Sequence, residues 1–344
     1  MLGQPRLFWV SIAWLMATVV VASDCRAQDK PAEGIVEFDA QVLPEGIVAF
    51  TEGPAWHPSG NVYFSDVFNN RIMRRDPREV IRVYRTPSGR ANGLLFDRQG
   101  RLMACEGADE GGNRRVTRIE PDGTITVLAA AYEGKELNSP NDLTIDSANR
   151  VYFTDPRYGD RDDMEQLDAE GKPIEGVYRI DPDGRIERII THEVQRPNGI
   201  AVSADDKWLF VVDNNNGTVD GNRKLWRFNL TAQGTIEADS RKLLHDFGRG
   251  RGGDGMAMDI KGRLYVAAGF NVPNLPLETT DNPAGIYVFT PEGEQVGFIP
   301  VLEDMVTNCT FGGADLKTLF ITAGHKLWSV RVTTPGKLAW PPAE

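Results

Sequence analysis

Six polar side chains in this 344-residue chain recur in one sequence context: Glu52, Asn92, Asn141, Asn198, Asp254 and Asn308. Each stands just ahead of a short apolar run. Two carboxylates and four amides are all oxygen donors, and no His or Cys accompanies them. Such a set suits a hard divalent cation. Ca²⁺ fits best, because it accepts about six to eight oxygen ligands in flexible geometry, with Zn²⁺, Mn²⁺ and Mg²⁺ as the other candidates. One Asn or Asp before a strand is usually only a turn residue. Recurrence at a matched position in every copy is what argues for a shared site.

The stretches that carry these residues are internal repeats. The clearest, SPNDLTIDSANRVYFTDPRYG from Ser139 to Gly159, reads as a polar residue, an alternating apolar strand, a turn, a second strand ending in Asp, and a loop. The others are EGPAWHPSGNVYFSD from Glu52, ANGLLFDRQGRLMAC from Ala91, RPNGIAVSADDKWLFVVD from Arg196, GDGMAMDIKGRLYVAA from Gly253 and TNCTFGGADLKTLFIT from Thr307. A third strand such as GVYRIDPDG, KLWRFNL, GIYVFTPEG or KLWSVRV follows. Copies spaced by roughly 40 to 57 residues predict an all-β fold, a six-bladed β-propeller with about four strands per blade. With the first strands innermost, the six polar side chains meet at one end of a central metal channel.

Because first and second strands run antiparallel, the loops after the second strands return to that same end. These loops differ between copies, as functional loops on a rigid scaffold do. The two longest, Asp155 to Glu175 and Gly269 to Ala284, are candidate lids. Arg157 and Tyr158 in the first of them, and His325 in the corresponding loop of the sixth copy, are candidate substrate contacts. Asp155 and Asp213 end second strands beside the same mouth, where they either orient the metal-binding amides or cap their strands. The turns between first and second strands (HPSGN, DRQGR, DSANR, SADDK, DIKGR, GADLK) are short and interchangeable, so they belong to the opposite, non-functional end.

The rest of the chain is expected to form one domain, 35–344, since the repeat fills it evenly and propellers exceed the usual domain size. The segment IVEFDAQVLPEGIVAF, 35–50, alternates without completing a blade and is expected to lend the last blade its missing outer strand, which removes a free edge. Arg6, an apolar run from Leu7 to Ala22, and Cys25-Arg26-Ala27 form a signal-peptide pattern over 1–27, followed by a disordered leader over 28–34. The protein is therefore expected to be exported, periplasmic or secreted, with no membrane attachment after cleavage. With 38 basic against 49 acidic residues and no basic run, nucleic acid is excluded as a partner. Cys105 and Cys309 lie in non-adjacent copies and read as buried thiols, and a self-closed propeller reads as a monomer.

EGPAW, SPNDL, RPNGIAV, GDGMAMD and TNCTFGGADLKTLFIT, in that order, resemble the senescence marker protein, gluconolactonase and luciferin-regenerating enzyme family over about Glu45 to Val332. The resemblance implies a propeller that hydrolyses lactones with a channel cation, with diisopropylfluorophosphatase as a structural relative. It places the metal ligands on Glu52, Asn141, Asn198 and Asp254, and gives Asp254 the catalytic role of general base. Asn92 and Asn308 are then left to contact the metal through water or the substrate directly. Animal members of the family carry an arginine on the substrate where this chain has Ser139, so the resemblance points to the bacterial branch, whose members differ in substrate, and to a sugar lactone that need not be gluconolactone. Two other readings stand beside a metal-dependent lactonase. One is a non-catalytic propeller whose ion only ties the blades; the other is an organophosphate hydrolase, which the Asn-, Asp- and Arg-rich loops disfavour.

Overall fold

In the computed structural model, which describes residues 34–37 and 40–340, the six repeats form six four-stranded antiparallel sheets in strand order one to four. The innermost strands are Thr51–Trp56, Ala91–Phe96, Leu143–Ile145, Pro197–Val202, Gly253–Met258 and Val306–Gly312. They touch in ring order, and the last packs against both the fifth and the first, so the ring closes. Among the described residues there are six apolar clusters, each filling the gap between two neighbouring blades. This is how a propeller buries sheets on both faces: the second strands, such as VYFSD and LYVAA, read as continuous apolar runs because neither face meets water. Cys105 and Cys309 are free thiols inside two of these clusters.

Closure occurs as expected. Leu43–Ile47 pairs antiparallel with Lys326–Arg331 and becomes the outer strand of blade six, so the two ends of the chain are stitched together in one sheet. The expected signal peptide, 1–27, and the leader up to residue 33 lie outside the described residues. Among the described residues, no helix is long and apolar enough to cross a membrane.

The C-terminal segment after the last strand does something the repeat pattern did not foretell. Thr333 to Trp340 runs across the face formed by the first-to-second-strand turns. Gly336 donates to the Leu316 carbonyl, Lys337 N to the Met258 carbonyl, and Trp340 packs 4.9 Å from the His57 ring and 5.9 Å from Phe96. The segment thereby roofs a cavity of about 140 Å³ in the channel, lined by Asp142, Asn308, Met256, Ile200 and Lys337 among others. The tail thus covers part of that end of the propeller.

Candidate active site at the channel mouth

A local irregularity aims the site residues. In blades one, two, four and five the pairing of first and second strands slips beside the site residue, between Glu52 and Ala55, Ala91 and Leu94, Pro197 and Ile200, and Gly253 and Met256. A bulge of this kind turns a side chain out of the sheet's ordinary alternation. Here it falls on Asn92, Asn198 and Asp254, and directly after Glu52. The residue after each is glycine, and each glycine faces the next blade. A methyl on Gly53 would lie 2.1 Å from the Asn92 carbonyl oxygen, on Gly93 2.6 Å from that of Asn141, on Gly199 2.3 Å from that of Asp254, and on Gly255 2.0 Å from the Asn308 side chain. Four of the six steps around the ring are therefore direct contacts between successive site segments.

Glu52, Asn141, Asn198, Asp254 and Asn308 are all buried, and Asn92 is half-buried. Glu52 accepts the Gly53 N–H at 2.9 Å. Burial pushes its carboxyl well above the ordinary range, and the Asp254 carboxylate pushes it further. Asp254 is likewise raised by burial, against the opposing pull of the Arg251 guanidinium, which donates to Oδ2, and of the Asn198 amide. Its other oxygen, Oδ1, is buried with no partner, as is Oδ1 of Asn92. Two close carboxylates that oppose each other's ionisation, with bare oxygens beside amides, are what a cation would relieve. The donor set therefore fits the implied divalent ion. Among the described residues no three His, Cys, Asp or Glu side chains form a metal-holding group.

Asn198 Nδ2 donates to the Tyr158 hydroxyl at 2.9 Å, and Tyr158 lies 5.1 Å under the Arg196 guanidinium. The candidate lid of blade three thus reaches Asn198. Arg157 is occupied differently: its guanidinium is taken up by the carbonyls of Asp160 and Asn138 and by Asp163 at 2.6 Å, so it braces its own loop. His325 is exposed, with Nδ1 bonded to the Ala49 carbonyl at the rim. Ser139 accepts the Ala108 N–H at 3.0 Å through its hydroxyl.

Of the two roles open to Asp155 and Asp213, the contacts are those of strand-end caps. Asp155 accepts the N–H groups of Asn138 and Ser139, both at 2.8 Å, and Asp213 those of Gln195 at 3.1 Å and Arg196 at 3.0 Å. Asp66 does the same for Ala49 and Phe50, both at 3.2 Å. In each case the tethered residues are the third and second before the site residue. The carboxylates fix the entry of the inner strand rather than touching the amides, and burial raises Asp155 to about 7 and Asp213 also upward.

Two buried groups join the set without having been singled out by the repeat. Asp142 occupies the position that is glycine in four other copies, and burial raises its carboxyl to about 7. Asn308 Nδ2 lies 3.5 Å from its Oδ2, a contact between blades three and six across the channel, so this pair closes the axis beneath the mouth. Arg251, three residues ahead of Asp254, is the other. The substitution of Asp for the recurrent glycine was visible in the alignment of copies; the reach of Arg251 was not.

Residues 50–325 match the family model described as SMP-30/Gluconolactonase/LRE-like region. A gluconolactonase of Zymomonas mobilis is 31% identical, the alignment covering 95% of each chain. The solved gluconolactonase of Xanthomonas campestris superposes with a TM-score of 0.70 at 28% identity, over 87% of this chain and 91% of that one. A calcium-binding regucalcin from Agrobacterium tumefaciens shares the fold at 15% identity, with a TM-score of 0.65 over 89% of this chain and 95% of its own.

Proposed function

The chain belongs to the SMP-30/gluconolactonase/LRE-like family, and from that premise we propose that it is a divalent-metal-dependent lactonase acting on small sugar lactones. The observation that carries the reading is the buried Glu52–Asp254 pair at the channel mouth, with Asp254 Oδ1 left without a protein partner. Glu52, Asn141, Asn198 and Asp254 would hold the cation. When bound, it supplies Lewis-acid polarisation of the lactone carbonyl, and Ca²⁺ is the ion the all-oxygen set favours.

The protein's own groups account for the rest. Arg251 grips one oxygen of Asp254 and leaves the other to take a proton from the attacking water. The new C–O bond forms as that proton moves to Asp254. The ring C–O bond then breaks, and the proton passes to the departing alkoxide to give the hydroxy acid. The Asn198 amide and Tyr158 hydroxyl, already hydrogen-bonded, are placed to orient the ester oxygens or ring hydroxyls. Asp142 and Asn308 seal the axis, so substrate enters and product leaves by the loop-bearing mouth.

The test is hydrolysis of a lactone panel by metal-stripped protein reconstituted with Ca²⁺, Zn²⁺, Mn²⁺ or Mg²⁺, beside Asp254→Asn. Turnover should require metal, and Asp254→Asn should abolish it while largely sparing metal binding. Metal binding without any lactone turnover would favour the scaffold reading, and full activity in Asp254→Asn would remove Asp254 from its role. We further propose that the protein is exported as a monomer after cleavage at Ala27. N-terminal sequencing of exported protein should begin near Gln28; a start at Met1 would reject this.

A further inference from the structure

Blade five breaks a rule that three other blades obey. In blades one, three and four, a carboxylate at the end of the second strand (Asp66, Asp155, Asp213) tethers the two backbone N–H groups that lead into the site residue. Opposite Gly253, the matching strand-end position in blade five is Ala268, which offers no carboxylate. The third residue before the site residue is Ala49, Asn138 or Gln195 in those three blades and Arg251 in this one.

Arg251 points its guanidinium forward to the site residue itself. It donates to Asp254 Oδ2, lies 4.9 Å over the Phe270 ring, and its Nη1 is 3.9 Å from Glu278 Oε1. Its side chain is only 4% exposed. Phe270 and Glu278 both come from the long loop of blade five, so the loop expected to act as a lid supplies the arginine's packing and its second carboxylate. Arg251 Nε, Asp254 Oδ1 and Glu278 Oε1 are all buried without hydrogen-bond partners. One guanidinium thus stands among three buried carboxylates, Glu52, Asp254 and Glu278, and is shared incompletely between them.

We propose that Arg251 is the positioning residue of this site: it pins one oxygen of Asp254 so that the other faces the channel, and it is the resident counter-charge of the Glu52–Asp254 pair that a divalent cation must share. This deepens the lactonase reading and rests on it for the role of Asp254, though not for the counter-charge. A fixed guanidinium beside a cation site repels the incoming ion, so the arrangement gives up metal affinity to hold the carboxylate in one orientation. Lysine would keep the charge but lose the planar guanidinium that stacks on Phe270 while it donates to Asp254.

The experiment compares wild type, Arg251→Met and Arg251→Lys as full-length purified protein, with Ca²⁺ binding measured by calorimetry on metal-stripped samples and lactone kinetics on loaded ones. Arg251→Met is expected to bind Ca²⁺ about tenfold more tightly, while kcat falls about 10²-fold with KM nearly unchanged. Arg251→Lys is expected to keep wild-type Ca²⁺ affinity and still lose kcat. An arginine that only supports the fold would instead weaken Ca²⁺ binding along with stability, and that result overturns the proposal. So does wild-type kcat in either variant. If Arg251→Met does not fold, Arg251→Lys alone decides through its kcat. Absence of lactone turnover in the wild type would defeat the functional reading, and the calorimetry would still decide whether Arg251 opposes the cation.

Discussion

Gly199→Ala isolates the geometry on which the site depends. Gly199 does not adopt a positive φ, so alanine there meets no backbone penalty of its own. Its new methyl, however, would stand 2.3 Å from the Asp254 carbonyl oxygen, where real contacts essentially never fall below 3.0 Å. Blades four and five would have to part by about 1 Å to restore an ordinary contact. Overpacking of that kind costs about 1–3 kcal/mol of stability, which leaves a folded protein. The separation of Asn198 from Asp254 would change by a similar distance, and a 1 Å misplacement at a catalytic site costs about 10²-fold in rate. The matched control is Gly184→Ala, at φ +88° with nothing within 4 Å of the new methyl. It should cost about 1 kcal/mol through backbone strain and leave kcat/KM alone. Urea unfolding and kcat/KM on the best lactone, followed by proton release, read both quantities. Gly199→Ala with wild-type kcat/KM, or Gly184→Ala with an equal loss, would refute the claim that interblade contact sets the site.

Three further outcomes follow from other contacts. Glu106, buried at the end of its strand and held by Arg85 at 2.8 Å, Arg115 at 2.7 Å and Asn113 at 2.6 Å, should cost about 3 kcal/mol when changed to Ala, because two arginines lose their partner; a urea midpoint within error of wild type would contradict this. Trp340→Ala should lower stability by about 1–2 kcal/mol through loss of its ring contacts without altering kcat, since the tail floors the channel and does not line the mouth; a fall in kcat at unchanged stability would show the opposite. The Asp76 carboxyl is pulled down to about 2, chiefly by the Val80 N–H and then by the Arg82 and Arg78 guanidiniums. A depressed carboxyl contributes stability above its unfolded value of about 4 that is lost as pH falls toward 2. Asp76→Asn should therefore lower stability at neutral pH and flatten that part of the profile, its stability meeting that of wild type as pH falls toward 2; an unchanged slope between pH 4 and 2 would exclude Asp76 as a contributor.

Repetition made most of the fold legible. A strand that alternates or runs apolar is ambiguous once, but six copies in register fix which strand is innermost and which end of each faces the channel. The N-terminal closing strand was readable for the same reason: a missing fourth strand in the last copy leaves an edge that another segment must cover. What escaped was non-repetitive. The tail after Arg331 has no counterpart in other copies, and only its contacts with Met258, Leu316 and His57 reveal that it floors the channel. Arg157 and Tyr158 are neighbours in one loop and looked equivalent as substrate contacts, yet one is spent on bracing the loop and the other meets Asn198. Adjacent side chains leave a loop in different directions, and sequence position does not record which.

The six-fold repeat also explains why the site's chemistry is concentrated where symmetry fails. A ring of identical glycine-flanked amides would give a uniform polar channel open along its length. Asp142 in place of the glycine, with Asn308 opposite, closes that channel and makes one end a pocket. Ala268 in place of a strand-end carboxylate removes a tether, and Arg251 reaches the freed site residue. Both departures remove a feature that only maintains the ring and put a charge beside the Glu52–Asp254 pair. Restoring the repeat at these positions should thus favour the scaffold at the expense of the site. Asp142→Gly is expected to leave the blades paired while opening the axis between mouth and cavity, so that lactone turnover falls and the melting temperature does not; a variant that loses both together would make Asp142 a packing residue instead.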